Sequence, residues 1–382
     1  MKFNVSAKEL LRVLKATGSV IQKKCSLPIL CDHLFTKEGD MFFITGSSAE
    51  NTLTMPIGIT LDSDSDFEPF CLPAADLVGL LGSLAEQPVT ITTDMQSKVF
   101  TINYNSGVVT MPLDSCDEYP KVAQMTEPTT EFDIETKIFF PAVKAASSCT
   151  NPDDALRPVF SCVCLDVKAE GVVFVGTNGH KLYKYDFVHG APFLKGNENK
   201  ILIPNAIIGA LAVPFAGMET MTVTHDGKHL CLKSGDVTFT IRDIEQKYPN
   251  YNSVIPKECP YHAVLPLSNL LGALRRVSLM ASDSSNMVKL SKQGMFLNLS
   301  AEDNDFSKNA NENLVLAEVD DPCTIPDGFI IGFKCAYMVD LLGNVSTDNV
   351  RLEFVDHSRP VIVKEDAPNS VLTELTMPMQ LT

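Results

Sequence analysis

A threefold internal repeat constrains this chain more than any single motif, because each copy must bury the same face in the same way. Phe3-Asn4-Val5 runs into Leu10-Leu11-Arg12-Val13-Leu14-Lys15. Phe132-Asp133-Ile134 runs into Phe139-Phe140-Pro141-Ala142-Val143-Lys144, and Ala263-Val264-Leu265 into Leu270-Leu271-Gly272-Ala273-Leu274-Arg275. Other landmarks keep the offset. Leu27-Pro28-Ile29-Leu30 lies opposite Arg157-Pro158-Val159-Phe160, and Thr45-Gly46-Ser47 opposite Val175-Gly176-Thr177. Leu72-Pro73 matches Ile203-Pro204 and Gly332-Phe333, while Tyr119-Pro120 matches Tyr248-Pro249. The spacing divides the chain into units 1–128, 129–256 and 257–382. Three copies of one frame suit a scaffold whose geometry is its function better than an enzyme with one site.

Each copy reads as two helices among short strands. Val99-Phe100-Thr101-Ile102-Asn103-Tyr104 alternates with period two. Met221-Thr222-Val223-Thr224, the turn Asp226-Gly227 and His229-Leu230-Cys231-Leu232 form a hairpin. A second helix is expected to start near Pro73, Pro204 and Phe333, the two prolines falling in the first turn. Segments 114–130 and 243–260 read as linkers. The class is α+β with large antiparallel sheets.

The net charge of −16 taken alone argues against nucleic-acid binding. Yet Lys8, Arg12 and Lys15 fall at i, i+4 and i+7 of the first helix, opposite Leu10 and Leu14. Lys137 and Lys144 hold two of those positions in the second copy, and Arg275, beside Arg276, holds the last in the third. Lys15, Lys144 and Arg275 are thus one position, basic three times. This is either a solvated helix face or a shared basic surface within an acidic particle.

Catalytic patterns are absent from the sequence. There is no HExxH, no GxSxG and no Cys/His metal spacing, and the eleven cysteines form no CxxC pair. Gly176-Thr177-Asn178-Gly179-His180-Lys181 lacks the spacing of a phosphate loop, and Asn178-Gly179 reads as a tight turn. Asp153-Asp154 reads as a solvated loop rather than a metal site. No cofactor is expected. The cysteines read as reduced thiols of a cytoplasmic protein, and no apolar run is long enough to span a bilayer.

Met1-Lys2-Phe3, Leu27-Pro28-Ile29-Leu30, Thr177-Asn178-Gly179-His180-Lys181-Leu182, Tyr248-Pro249-Asn250-Tyr251, Gly332-Phe333-Lys334 with Tyr337, and Met377-Pro378-Met379 run in order along the chain. Together they resemble the bacterial DNA polymerase III β subunit, the sliding-clamp family. The resemblance implies a DNA-clamp fold of three similar domains closing into a ring as a head-to-tail homodimer. It implies a non-catalytic processivity factor around duplex DNA, without sequence specificity and without a membrane role. The DNA-facing residues would be Lys8, Arg12, Lys15, Lys23, Lys24, Lys137, Lys144, Arg157, Arg275 and Arg276. It further implies a pocket for short linear motifs of the polymerase catalytic subunit and the clamp loader. Carried over position by position, that pocket comprises Val159, Phe160, Thr177, Gly179, His180, Lys181, Leu182, Pro249, Ser253, Val254, Tyr337, Met377, Pro378 and Met379. Lys181 stands where relatives often have Arg, Ser253 where an Arg is common, Val159 where a Tyr is frequent, and Gln380 where a basic residue is usual. These departures bear on peptide preference. A repeat-built peptide-binding scaffold without a DNA role is the alternative.

Overall fold

The computed structural model describes residues 1–22, 27–48, 50–62, 66–73, 75–120, 125–152, 154–190 and 192–381. They form two compact units. The first holds Met1–Phe140, Phe193–Asn197 and Ala206–Ile244; the second holds Pro141–Pro192, Glu198–Asn205 and Glu245–Thr382. These units cross the repeat boundaries because, within each, a sheet runs on from one repeat into the next.

The helices are α1 (Ala7–Gly18), α2 (Ala75–Ser83), α3 (Thr136–Ser148), α4 (Asn205–Leu211), α5 (Leu267–Ser278) and α6 (Cys335–Leu342). Helix α1 starts where the Ser6 hydroxyl accepts from the Glu9 N–H at 3.1 Å. Glu9 in its first turn and Lys15 in its last complement the helix dipole. Its inner face buries Leu10, Val13 and Leu14, contributing about 1.5–3 kcal/mol each by area. One close approach recurs in two repeats. A Cβ on Gly46 would stand 2.1 Å from the Thr17 carbonyl oxygen at the end of α1, and one on Gly176 would stand 1.8 Å from that of Ala146 in α3. Only glycine lets the helix backbone lie directly on the strand at these positions.

The second helices are described from Ala75, Asn205 and Cys335, just after Pro73, Pro204 and Phe333, so the two prolines stand before the helices rather than in their first turns as expected. Pro204 is the last residue of strand Asn199–Pro204, which forms one edge of its sheet, and α4 starts at Asn205. The missing N–H therefore ends a strand at a sheet edge, another place where it costs little.

All sheet pairings among the described residues are antiparallel. In the first unit, a five-stranded sheet runs from Thr60–Leu61 through Lys2–Ser6 to an edge at Gly107–Pro112. A nine-stranded sheet crosses between repeats where Val237–Arg242 pairs with Thr52–Ile57, with Thr240 opposite Thr52 and Thr238 opposite Thr54. In the second unit, an eight-stranded sheet crosses where Leu372–Thr376 pairs with Lys181–Val188, with Leu375 opposite Leu182. A five-stranded sheet ends at Lys308–Leu314 on one side and Pro378–Met379 on the other.

The two crossings follow one rule. The last strand of one repeat's second half meets the last strand of the preceding repeat's first half. Two strands in the equivalent positions are left as edges, Gly107–Pro112 in the first repeat and Lys308–Leu314 in the third. Backbone polarity on the first edge can be assigned. The Leu113 N–H donates to the Lys98 carbonyl at 3.2 Å, and Val99 faces Pro112. Alternation then turns the backbone groups of Val109 and Met111 inward and those of Val108 and Thr110 outward. Pro112, which has no N–H, falls on the outward side as well.

Candidate partner-binding and nucleic-acid surfaces

Lys8, Arg12 and Lys15 are exposed on α1, while Leu10, Val13 and Leu14 are buried behind them. Lys144 on α3 and Arg275 on α5 are exposed, so the thrice-basic position faces solvent in every copy. Not every expected cation is equally available. Lys137 pairs with Glu135 at 2.5 Å. Arg276 is held bidentately by Glu312, at 3.0 and 2.5 Å, so its charge is met beside the Lys308–Leu314 edge. Arg157 contacts Asp154 at 2.9 Å and lies 4.7 Å above the Phe160 ring. Lys23 and Lys24, like Asp153, lie outside the described residues.

The expected pocket residues all belong to the second unit, and a tight turn between two strands organises many of them. The Asn178 Oδ1 accepts from the His180 and Lys181 N–H groups at 2.9 and 3.0 Å. The Thr177 hydroxyl donates to the Lys181 carbonyl at 2.8 Å and accepts from the Gly179 N–H at 3.1 Å. Gly179 has φ +87°, a conformation that a side chain strains, as the Asn-Gly pair implies. Phe160, in the one-turn helix Pro158–Ser161 with Val159, lies 3.8 Å from where a Gly179 Cβ would stand.

From the third repeat, the Met377 N–H donates to the His180 carbonyl at 2.8 Å. The Tyr337 ring stacks on His180 at 6.3 Å and 19°. Pro378 pairs with Phe333 and Met379 with Gly332. Pro249, Ser253 and Val254 sit on a connector held to the same sheet. Its Tyr248 hydroxyl donates to the Val175 carbonyl at 3.5 Å, and its Tyr251 hydroxyl donates to the Asp166 carboxylate at 2.7 Å. Val254 and Met377 are exposed apolar side chains, as a surface that accepts several partners needs.

Lys181 and Leu182 differ from their neighbours. Lys181 is 5% exposed, and its ammonium donates to the Ser148 carbonyl and the Asp340 carboxylate, both at 2.5 Å. Its charge therefore sits under the surface, below the Tyr337 ring at 5.3 Å, and Lys334 lies 4.8 Å from the same ring. Leu182 is likewise buried.

Sequence reasoning missed the rest of this polar floor. The Asn344 amide donates to Glu374 Oε1 at 2.8 Å, and Glu374 is fully buried. Burial pushes its carboxyl well above the usual glutamate range, against the Asn344 hydrogen bond and the nearby Lys181 charge. Its Oε2 lacks a partner among the described residues. The only signal in the sequence is an acid in the apolar strand Leu372-Thr373-Glu374-Leu375. No cluster of three or more metal-ligating side chains occurs among the described residues, and no described helix is long and apolar enough to cross a membrane. Ten described cysteines are free, and burial raises Cys71 and Cys149 to about 12, which makes them inert.

Comparison with known proteins agrees with this architecture. Residues 1–123 match the DNA polymerase III beta subunit, N-terminal domain, and residues 252–380 match the C-terminal domain of the same subunit. The beta sliding clamp of Pseudomonas putida is 23% identical over the whole of both chains. That of Staphylococcus aureus is 23% identical over 100% of this chain and 99% of its own. The crystal structure of the Pseudomonas aeruginosa DNA polymerase III subunit beta superposes over 100% of both chains with TM-score 0.89 at 21% identity.

Proposed function

The chain belongs to the DNA polymerase III β-subunit family, the sliding clamps, and from that premise we propose that it is a DNA replication processivity factor whose two copies close head to tail around duplex DNA. It carries no catalysis of its own. It tethers the replicative polymerase, and in turn the clamp loader, through short peptides, and it acts in the cytoplasm. Its working domains are the three repeats, 1–128, 129–256 and 257–382.

The observation that carries this reading is the pair of edges left over by the repeat rule. Gly107–Pro112 of one chain takes Lys308–Leu314 of the other as its partner. The crossing at Thr240 and Thr52 sets the register: Thr110 opposite Lys308, and Val108 opposite Ala310. Such a contact is heterologous, and two of them close a dimer. Ring closure makes tight DNA binding unnecessary. Lys8, Arg12, Lys15, Lys144 and Arg275 supply a basic lining that touches phosphates without reading bases. The acidic remainder repels DNA from the outside.

The partner site is the surface around the Thr177–Leu182 turn, with Val159, Phe160, Pro249, Val254, Tyr337 and Met377–Met379 contributing apolar contacts. Lys181 supports it from beneath. The decisive experiment loads the protein on nicked circular duplex and then linearises the DNA. Retention on circles and loss from linear DNA supports the clamp. Equal loss from both favours a peptide-binding scaffold without a DNA role. Removal of residues 377–382 is expected to abolish binding of polymerase tail peptides and to leave the dimer intact. Unchanged peptide affinity refutes the placement of the site.

A further inference from the structure

Strand Cys162–Lys168 buries an acid beneath the connector that carries Pro249, Ser253 and Val254. Asp166 is 3% exposed. Three donor groups surround its carboxylate. The Tyr251 hydroxyl lies 2.7 Å from Oδ2, the Lys200 ammonium 3.4 Å from the same oxygen, and the Lys168 ammonium 3.0 Å from Oδ1. Lys200 also lies 5.1 Å from the centre of the Tyr251 ring. The ring is thus held at its hydroxyl by the carboxylate and on its face by a cation. Burial, and next the bond to Asp166, raise the Tyr251 phenol above its usual range, so the hydroxyl remains a donor at neutral pH. Tyr251 begins the one-turn helix Tyr251–Val254. That turn is closed on itself: the Ser253 N–H and hydroxyl both donate to the Asn250 carbonyl, at 3.2 and 2.6 Å. Val254 lies three residues beyond Tyr251, one turn of such a helix, and is 44% exposed. A tilt of the Tyr251 ring therefore carries Val254 with it. Packing alone would ask only for a phenylalanine at position 251. A hydroxyl bonded to an ionic group adds direction, which packing lacks.

We propose that Asp166 and Tyr251 are a positioning pair for the partner site: their hydrogen bond sets the angle at which Val254 meets an apolar side chain of a bound peptide. Lys168 and Lys200 supply the counter-charges that keep the carboxylate in place. Asp166 and Tyr251 are both buried, so both act through Val254. This role presupposes that the surface around the Thr177–Leu182 turn is the peptide site.

The test uses the intact chain and a fluorescently labelled polymerase tail peptide. Two quantities are read: peptide affinity by anisotropy, and the NMR order parameter of the Val254 methyl groups in the free chain. Tyr251→Phe removes the hydroxyl and keeps the ring. It is expected to weaken peptide binding about fivefold, the value of one hydrogen bond, and to lower the methyl order parameter. Asp166→Ala should do the same, and Asp166→Asn, whose amide oxygen still accepts, should restore most of the loss. In Val254→Ala, which itself weakens binding, adding Tyr251→Phe should cost nothing more. Additive losses would show a general structural role and overturn the proposal. So would an unchanged methyl order parameter in Tyr251→Phe. If Val254→Ala alone leaves the affinity unaltered, it is the peptide-site reading that falls, and the proposal with it.

Discussion

Replacing Val108 with proline separates the seam between chains from the fold of each chain. Val108 is 58% exposed, and its N–H points away from the sheet, so proline removes no hydrogen bond within the monomer. In the proposed dimer, Val108 and Thr110 each form a hydrogen-bonded pair with the facing strand, giving about four bonds per seam. Proline deletes one donor and leaves the opposing carbonyl unmet, a loss of about 1–3 kcal/mol. A closed ring has two such seams. The dimer should therefore weaken by about 2–6 kcal/mol, raising Kd roughly 30-fold to ten-thousandfold. Sedimentation velocity from nanomolar to micromolar concentration reads this directly, with thermal melting of the monomer as the control. Val109→Pro provides the contrast. Its N–H faces Ile102 within the sheet, so that change should damage the fold itself. A folded Val108→Pro chain that dimerises as tightly as the parent would refute both the edge assignment and the register drawn from it.

Changing Lys15, Lys144 and Arg275 together to serine should leave dimerisation unaltered and flatten the salt dependence of DNA binding, by roughly 0.9 in log–log slope for each phosphate no longer neutralised. An unchanged slope would show that the thrice-basic position is only a solvated face. Burial makes Glu374 hold its proton to higher pH in the fold than in the unfolded chain, so it opposes folding increasingly as pH rises above the ordinary glutamate value. Glu374→Gln should therefore raise the melting temperature at pH 8 more than at pH 5, as calorimetry would show, and an equal effect at both would place the proton elsewhere. Gly176→Ala forces a methyl group against the Ala146 carbonyl and should destabilise the chain by about 3 kcal/mol in a denaturant titration.

The local features were legible because they are written in short windows. Asn178-Gly179 forms its turn, the apolar spacing of α1 buries Leu10 and Leu14, and Asp226-Gly227 closes its hairpin. What lay hidden joins residues far apart in sequence. Thr52 meets Thr240, and Lys181 meets Asp340; no periodicity announces either pairing. The sequence led us to expect Lys181 at the pocket, but not its burial, because its counter-charge arrives from α6. His33 is similar: as a lone histidine at the start of an apolar strand it is unremarkable until the Leu14 carbonyl near the end of α1 meets its Nε2 at 3.1 Å.

The two leftover edges are unlike one another, and in the proposed dimer this would give a polarity with a genetic consequence. Suppose one chain carries a lesion at Val108 and a second carries one at Ala310. Each defect alone spoils both contacts of a homodimer. Mixed, the two lesions fall into the same contact and leave the other whole. Complementary mutants should therefore pair with each other better than with themselves, yielding a particle joined on one side only: a hinged pair rather than a closed loop, able to recognise partners and unable to stay on a circle.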